Sequence, residues 1–479
     1  MNILVFLAAS FLIVAAFLRR RRREKYFSRI DALRARYTPI VSGMLEGKIE
    51  YGKGLDTLKG ITGSDRFRVL ELLLIEKKTE TSPAPILRQL CADLGLVEVW
   101  QQQLIGMVDA KGRQVSRVTS NRIQEKSGRL GYLVRASSAH HLGAIFHQPS
   151  WPLLVKALGD AHPDVASVAA RSLAAIGEPE SFQPLLDCLH DVIQNASRQV
   201  SLRSIKMALV SFPLEQAAKL LPSLRHSHRR IRFLAVDIIR GMAERRAAEN
   251  EDFVLDAQTF APELSEIFLS RLISDENPDV RARAAPVIAY LPDQRATSAL
   301  LILLGDGEWF VRMHSARALA KQKYLSCANL IAGRLTDAQW MVREAATRTL
   351  LSFGREGLSR LYDHALTTTD RYSKEQIGDE IQRAGLVPVL LGQYAQDRNG
   401  KETQVMELLA ELGKTSCMLE ALEGIPERNL RRKFLADFGR HPDPQIRSWV
   451  KGLASGKPFS RLRPRAAVPG IPAPQAGRA

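Results

Sequence analysis

Apolar residues recur at three- and four-residue spacing along most of the chain, which puts one apolar stripe on each of many short helices. Alternation with β-branched enrichment, the pattern of half-buried strands, is nearly absent. The sequence therefore predicts an all-α protein. The helical pattern also repeats at longer range. DENPDVRARAAPVIAYLPD from Asp275, DGEWFVRMHSARALAKQKY from Asp306 and DAQWMVREAATRTLLSFGR from Asp337 align without gaps. Val280, Val311 and Val342 stand 31 residues apart, each followed by arginine (Arg281, Arg312, Arg343). Small residues come four to five positions later (Ala284 and Ala285, Ser315 and Ala316, Ala346), and Ile288, Leu319 and Leu350 close the helix. Val134 and Val165 carry the same pattern, Val200 and Ile231 continue it, Ile377 and Val405 match it weakly, and Ile446 ends it.

Each unit has a physical reading. The aspartate five residues before the key valine (Asp160, Asp275, Asp306, Asp337) caps a helix start or a turn by accepting from free backbone N–H groups. Pro163 and Pro278 suit a first helical turn, where no N–H is needed. A second helix follows, as in SCANLIAGRL after Leu325. Neither helix can bury its face alone, so neighbouring units must stack into an α-solenoid. These residues resemble HEAT repeats, and the 31-residue period is similar to the short, phycobilisome-lyase-like variety rather than to the forms of ~40–47 residues. The resemblance spans 127–455 and is strongest over 275–365. It implies a stacked helical surface of the kind used mostly for binding, without specifying a partner.

Around that array the chain divides further. Residues 26–126 read as helical but lack the repeat signature, and are expected to form an N-terminal helical cap. An insertion at about 244–262 lengthens one unit, as a loop or a spacer. Residues 456–479 are basic and proline-rich with little to bury, and read as a disordered tail.

The N-terminus has a different pattern. From Ile3 to Leu18 there is no charge and Ser10 alone is polar, and Arg19, Arg20, Arg21, Arg22 and Arg23 follow directly. As a helix, residues 1–18 span about 27 Å, against a hydrocarbon core of roughly 30 Å. A secretory signal carries its basic residues before the apolar run, whereas here they follow it. The expectation is a single transmembrane helix at 1–18 and a basic stop at 19–25 on the membrane surface. The positive-inside rule puts the N-terminus outside and the body in the cytoplasm.

Charge changes the picture only modestly. The net charge is +17, but residues 19–25 and 457–479 each contribute +5 and leave a mildly basic body. Four scattered cysteines (Cys91, Cys188, Cys327, Cys417) suit buried thiols in a reducing compartment.

Candidate chemistry is sparse. GKTS at Gly413 lacks the earlier glycine of a phosphate loop and ends a helical stretch, so Gly413 reads as a helix C-cap. His140 and His141 are adjacent, which turns them about 100° apart on a helix and away from common ligation. Iron-binding HEAT enzymes such as deoxyhypusine hydroxylase rely on His-Glu pairs, and this sequence has none. No metal, cofactor or catalytic residues are expected. Two surfaces remain. Trp309 and Trp340 stand two residues before their key valines, where they would line up as anchors for a protein partner or cover the preceding helix start. Arg225, Arg229, Arg230 and Arg232 in RHSHRRIR form a candidate anionic-partner patch or a solvated helix start.

The reading is a non-catalytic, membrane-anchored scaffold whose cytoplasmic solenoid binds protein partners. A nucleic-acid-binding HEAT solenoid, or less favourably a lyase-like HEAT enzyme, is the alternative. Partner identity and oligomeric state are left open.

Overall fold

The computed structural model describes residues 2–62, 66–75, 85–106, 131–195, 200–396, 400–424 and 428–459, the side chains of 2–13, 68, 394–396, 424 and 430 excepted. Among the described residues the regular structure is helical, with no strands. The chain forms two compact units, Met1–Glu251 with Gln258–Ala261, and Asp252–Ala257 with Pro262–Ala479.

The first unit opens with α1 (Asn2–Leu45), α2 (Tyr51–Lys59), α3 (Arg66–Ile75), α4 (Pro85–Asp93) and α5 (Leu96–Leu104). It continues with α6 (Gly131–Ala144), α7 (Trp151–Ala157), α8 (Pro163–Ile176), α9 (Phe182–Gln194), α10 (Leu202–Val210), α11 (Leu221–Leu224) and α12 (Arg229–Glu249). The second unit holds α13 (Pro262–Leu269), α14 (Pro278–Ile288), α15 (Gln294–Leu304), α16 (Trp309–Gln322), α17 (Ala328–Ala332) and α18 (Trp340–Ser352). It ends with α19 (Gly354–Thr367), α20 (Arg371–Arg383), α21 (Val387–Gln396), α22 (Lys401–Glu411), α23 (Thr415–Ala421), α24 (Arg428–Phe438) and α25 (Pro444–Ala454).

The repeat pattern maps onto this order directly. Val165, Ile231, Val280, Val311, Val342 and Ile446 are each the third residue of their helix and are buried. The first helices of successive repeats stack on one another, α6 to α8 to α10 to α12 in the first unit, and α14 to α16 to α18 to α20 in the second. The intervening helices α7, α9 and α11, and likewise α13, α15 and α17, pack against that row. Small side chains permit the close approach: Ala166, Ala169, Ala170, Ala284, Ala285, Ser315 and Ala316 have no exposed area. Buried hydroxyls bond the layers together, Ser172 Oγ donating to the Ala139 carbonyl at 2.7 Å and Thr349 Oγ1 to that of Ala316 at 2.8 Å.

Several boundaries differ from the sequence reading. The arginine block does not end a helix, because arginine is a good helix former and α1 runs through it to Leu45. From Val14 to Arg29 every α1 side chain is exposed, and Ile30 is the first buried one among those described. Among the described residues no helix is long and apolar enough to cross a membrane. The transmembrane helix expected at 1–18 is thus unsupported there, with the side chains of 2–13 outside the description. Val200 precedes α10, which starts at Leu202, and Val134 is only half-buried. The 244–262 insertion is neither a plain loop nor a spacer: α12 extends through its first part to Glu249. Residues 252–257 then pack in the second unit, where the Leu255 N–H donates to the Tyr290 carbonyl at 2.8 Å. The expected tail begins with an ordered contact, since Phe459 is buried edge-on against Trp449 at 5.4 Å. Residues 460–479 lie outside the described residues, as do 107–130 at the cap-to-array boundary.

Candidate binding surface

Before α8, α14, α16 and α18 the turn is built by its aspartate. Asp160, Asp275, Asp306 and Asp337 accept from the backbone N–H two residues on, at 2.8–3.0 Å. They therefore brace turns rather than cap helices. The capping position two residues later is filled by His162 and Asn277, which accept from Asp164 N–H and Asp279 N–H.

Three of these aspartates also receive an arginine from the preceding repeat. Arg135 binds Asp160, Arg281 binds Asp306 and Arg312 binds Asp337, each through Nε and Nη2 at 2.7–2.9 Å. The remaining nitrogen turns back on its own turn, Arg281 Nη1 to the Asp275 carbonyl and Arg312 Nη1 to those of Asp306 and Gly307. Burial pushes the Asp306 and Asp337 carboxyls up, but hydrogen bonds and charge from the arginines outweigh it and hold both below their ordinary value. The sequence reading missed this ladder. Its signal was present, because each arginine precedes its aspartate by 25 residues.

The ladder fixes an edge at the starts of the long helices, and the candidate tryptophans stand on it. Trp309 and Trp340 open α16 and α18, the first helices of successive repeats. Trp340 is 52 % exposed, which excludes a purely covering role for it. Trp309 is half-buried and packs edge-on against Phe310 at 5.7 Å. Tyr372, the second residue of α20 and 71 % exposed, adds a third aromatic that the sequence reading did not single out.

The basic candidates separate. Arg225, Arg229 and Arg230 are exposed at the start of α12, but Arg232 is only 4 % exposed. Its Nη1 donates to the carbonyls of His226 and Ser227 at 3.0 and 2.7 Å, so Arg232 braces the turn and is not part of an open patch. Arg19, Arg20, Arg21, Arg22 and Arg23 are all exposed on α1, with Arg20 pairing to Glu24 at 2.9 Å.

His140 points to solvent while His141 is buried against Trp100, with Nδ1 at 3.8 Å from a Glu71 oxygen. Among the described residues no group of three or more His, Cys, Asp or Glu side chains is placed to hold a metal. Gly413, at φ +75°, follows α22, and the Lys414 N–H returns to the Leu409 carbonyl at 2.9 Å, which is the geometry of a helix C-cap.

Within each unit a buried carboxylate also pairs with cations on its own helix and on the neighbouring one. Glu380, 2 % exposed, takes Arg348 at 3.0 Å and also Arg383, while Arg348 holds Glu344 at 2.8 Å. In the first unit Asp237, 5 % exposed, lies between Lys206 and Arg240, each at 2.8 Å. Burial raises the Asp237 carboxyl, and the bonds from Lys206 and Arg240 bring it below its ordinary value. These carboxylates link neighbouring helices and leave no open cluster around themselves.

Stacked helix pairs joined by a repeating Arg–Asp contact define a helical-repeat protein. The repeats are HEAT repeats: the family model of that description matches residues 132–206 and 265–351. A comparison with curated proteins returns no match. Among solved structures, the chain is similar to an engineered protein at 17 % identity, over 85 % of this chain and 98 % of that one, with a TM-score of 0.31. It is similar to human deoxyhypusine hydroxylase in complex with glycerol at 15 % identity, over 60 % and 96 % of the two chains, with a TM-score of 0.24. Similarity to Kap121p is at 14 % identity, over 81 % of this chain and 51 % of that one, with a TM-score of 0.34. The chain thus spans about half the length of Kap121p. At such scores no property of these proteins passes to this chain.

Proposed function

We propose that this protein is a non-catalytic scaffold whose HEAT repeats bind a protein partner along the aromatic edge of the second unit, at a membrane. The observation that carries the reading is the exposure of Trp340, with Trp309 and Tyr372 at the starts of the neighbouring stacked helices α16 and α20. Large aromatics are the side chains that anchor protein interfaces, and a rigid row of them loses little entropy on binding. The repeats are of the short, phycobilisome-lyase-like kind, a reading supported by helix starts at 278, 309 and 340.

The membrane half of the reading rests on the sequence, an uncharged Ile3–Leu18 followed by five arginines. Exposed arginines on α1 suit anionic headgroups, each worth about 1 kcal/mol near the surface. In this reading the N-terminus lies outside and the repeats are cytoplasmic, where confinement to two dimensions raises their effective concentration near membrane partners.

Two comparisons test the reading. Affinity capture from detergent-solubilised membranes with W309A/W340A is expected to lose partners that the native chain retains, with an unchanged melting temperature. Partners retained by the double variant would remove the aromatic edge from the account. Membrane fractionation of a version lacking residues 1–25 is expected to release the protein, and a version that stays with the membrane would overturn the anchor.

A further inference from the structure

We propose that the guanidinium of Arg343 receives a carboxylate of the protein partner, which makes the ligand of the aromatic edge an acidic segment with apolar residues beside its acids. The inference rests on the reading of that edge as the binding surface, and names the partner's chemistry. Repetition within the chain carries it. Arg135, Arg281 and Arg312 each close on an aspartate 25 residues later through Nε and Nη2. From Arg343 the same interval leads to Thr368, which has no carboxylate. Arg343 keeps the other half of the arrangement, Nη1 donating to the carbonyls of Asp337 and Ala338 at 2.8 and 3.4 Å. Its Nε is buried without a hydrogen-bond partner. The guanidinium is therefore braced from behind as in the ladder, with no carboxylate of the described residues to bind.

Position ties this group to the aromatic edge. Trp340 and Arg343 are three residues apart on α18, which sets them on one face of the helix with Cβ atoms about 5–6 Å apart. Trp340 is 52 % exposed, and Tyr372, 71 % exposed, stands at the start of α20, the helix stacked on α18. Local charge favours an acid. Lys374, on α20, forms no ion pair among the described residues. The acids nearby are engaged: Glu375 holds Arg371 at 2.8 Å, Glu344 holds Arg348 at 2.8 Å, and Asp370 accepts from the Tyr372 N–H at 3.0 Å. Two cations, Arg343 and Lys374, thus stand beside two exposed aromatics without an acid of their own.

The chemistry selects the ligand. A donor left unpaired away from water is costly, so a carboxylate that reaches it gains more than one that meets an exposed cation. The planar guanidinium matches the two oxygens of a carboxylate. An apolar neighbour of that acid covers the Trp340 indole and keeps water from the pair, as the surround of an interface anchor does. Thr368 supplies a control from within the fold. An aspartate there offers Arg343 the carboxylate that the other repeats provide, and so competes with the partner's.

The test uses the detergent-solubilised full chain and a fluorescent, end-blocked decapeptide of alternating aspartate and leucine, read by anisotropy. A decapeptide of alternating asparagine and leucine is the uncharged control. The acidic peptide is expected to bind at least tenfold more tightly than the control. Thr368→Asp is expected to weaken the acidic peptide at least fivefold while raising the melting temperature, and Arg343→Gln to weaken it as much while leaving the control unchanged. Equal binding of the two peptides, acidic-peptide binding unchanged in both variants, or no binding at all would overturn the proposal. An oligothymidylate that binds as tightly as the acidic peptide and is lost in Thr368→Asp would also overturn it, by assigning Arg343 to nucleic acid. Acidic-peptide binding lost in W309A/W340A but kept in Thr368→Asp and Arg343→Gln would remove this inference and leave the aromatic edge. Binding lost in Thr368→Asp and Arg343→Gln but kept in W309A/W340A would uphold the carboxylate receptor and remove the aromatic anchors.

Discussion

Arg312 shows what one side chain does for this fold. Two of its nitrogens hold Asp337 of the next repeat, and the third braces the turn that starts its own helix. Because both partners are mostly buried, removing one strands the other away from water. Arg312→Ala is expected to lower unfolding free energy by about 2–3 kcal/mol in urea melts, and Arg312→Lys to recover little, since an ammonium cannot bind both oxygens in a fork. Arg20→Ala, which breaks an exposed pair on α1, is expected to change stability by less than about 0.5 kcal/mol. Equal losses in the two variants would mean that the ladder has no special weight.

At the scale of elements, the ladder stops at Arg343. Its Nη1 reaches the Asp337 carbonyl at 2.8 Å, but its buried Nε has no hydrogen-bond partner. Thr368 stands where the next aspartate would be, and its Oγ1 accepts from the Asp370 N–H as the ladder aspartates do two residues on. Thr368→Asp is expected to supply the missing carboxylate and raise stability by about 1 kcal/mol, read as a higher melting temperature. A lower melting temperature would count against this extension of the ladder.

Helix approach gives the opposite case. A Cβ at Gly143 on α6 would lie 2.5 Å from Ser172 Cβ and 2.7 Å from its Cα on α8, closer than any relaxed side chain can sit. Gly143→Ala is expected to cost about 1–3 kcal/mol in a thermal or urea melt although alanine favours helix, because the two helices must move apart. A neutral or stabilising result would show that the approach is soft.

For the whole molecule, stability should depend on pH in two windows. His147, His190 and His364 are held below their ordinary 6.5, chiefly by burial, so the folded chain takes up their protons less readily than the unfolded one. As pH falls through 6.5 the unfolded chain takes up these protons first, and the folded state loses stability. Asp237, Asp306 and Asp337 lie below their ordinary 3.8, so their contribution is complete above that value and is lost as pH falls through their folded values. Melting temperature is expected to decline from pH 7 toward 5 and again below pH 4. His190→Gln together with His364→Gln should flatten the first decline, and Asp337→Asn the second. A melting temperature constant from pH 7 to 5 would remove the histidines from this account.

The sequence by itself determined the fold class and the frame of the repeats. Key residues at Val280, Val311 and Val342 recur with the helix period and with a fixed spacing, both local properties of the chain. It also marked Gly413 as a helix end, since that depends on one residue and its neighbours. Tertiary structure decided what depends on contact between repeats. Arg232 looked like an open cation until its fold put it under a turn, and Trp340 could have been cover or anchor until its exposure was known. The pairing of Arg312 with Asp337 joins groups 25 residues apart that meet only when two helix pairs stack. The insertion was misread for the same reason, because nothing local shows that Leu255 will bond to Tyr290. Helical period is written in neighbouring residues, whereas burial and pairing arise only when distant faces close on each other and exclude water.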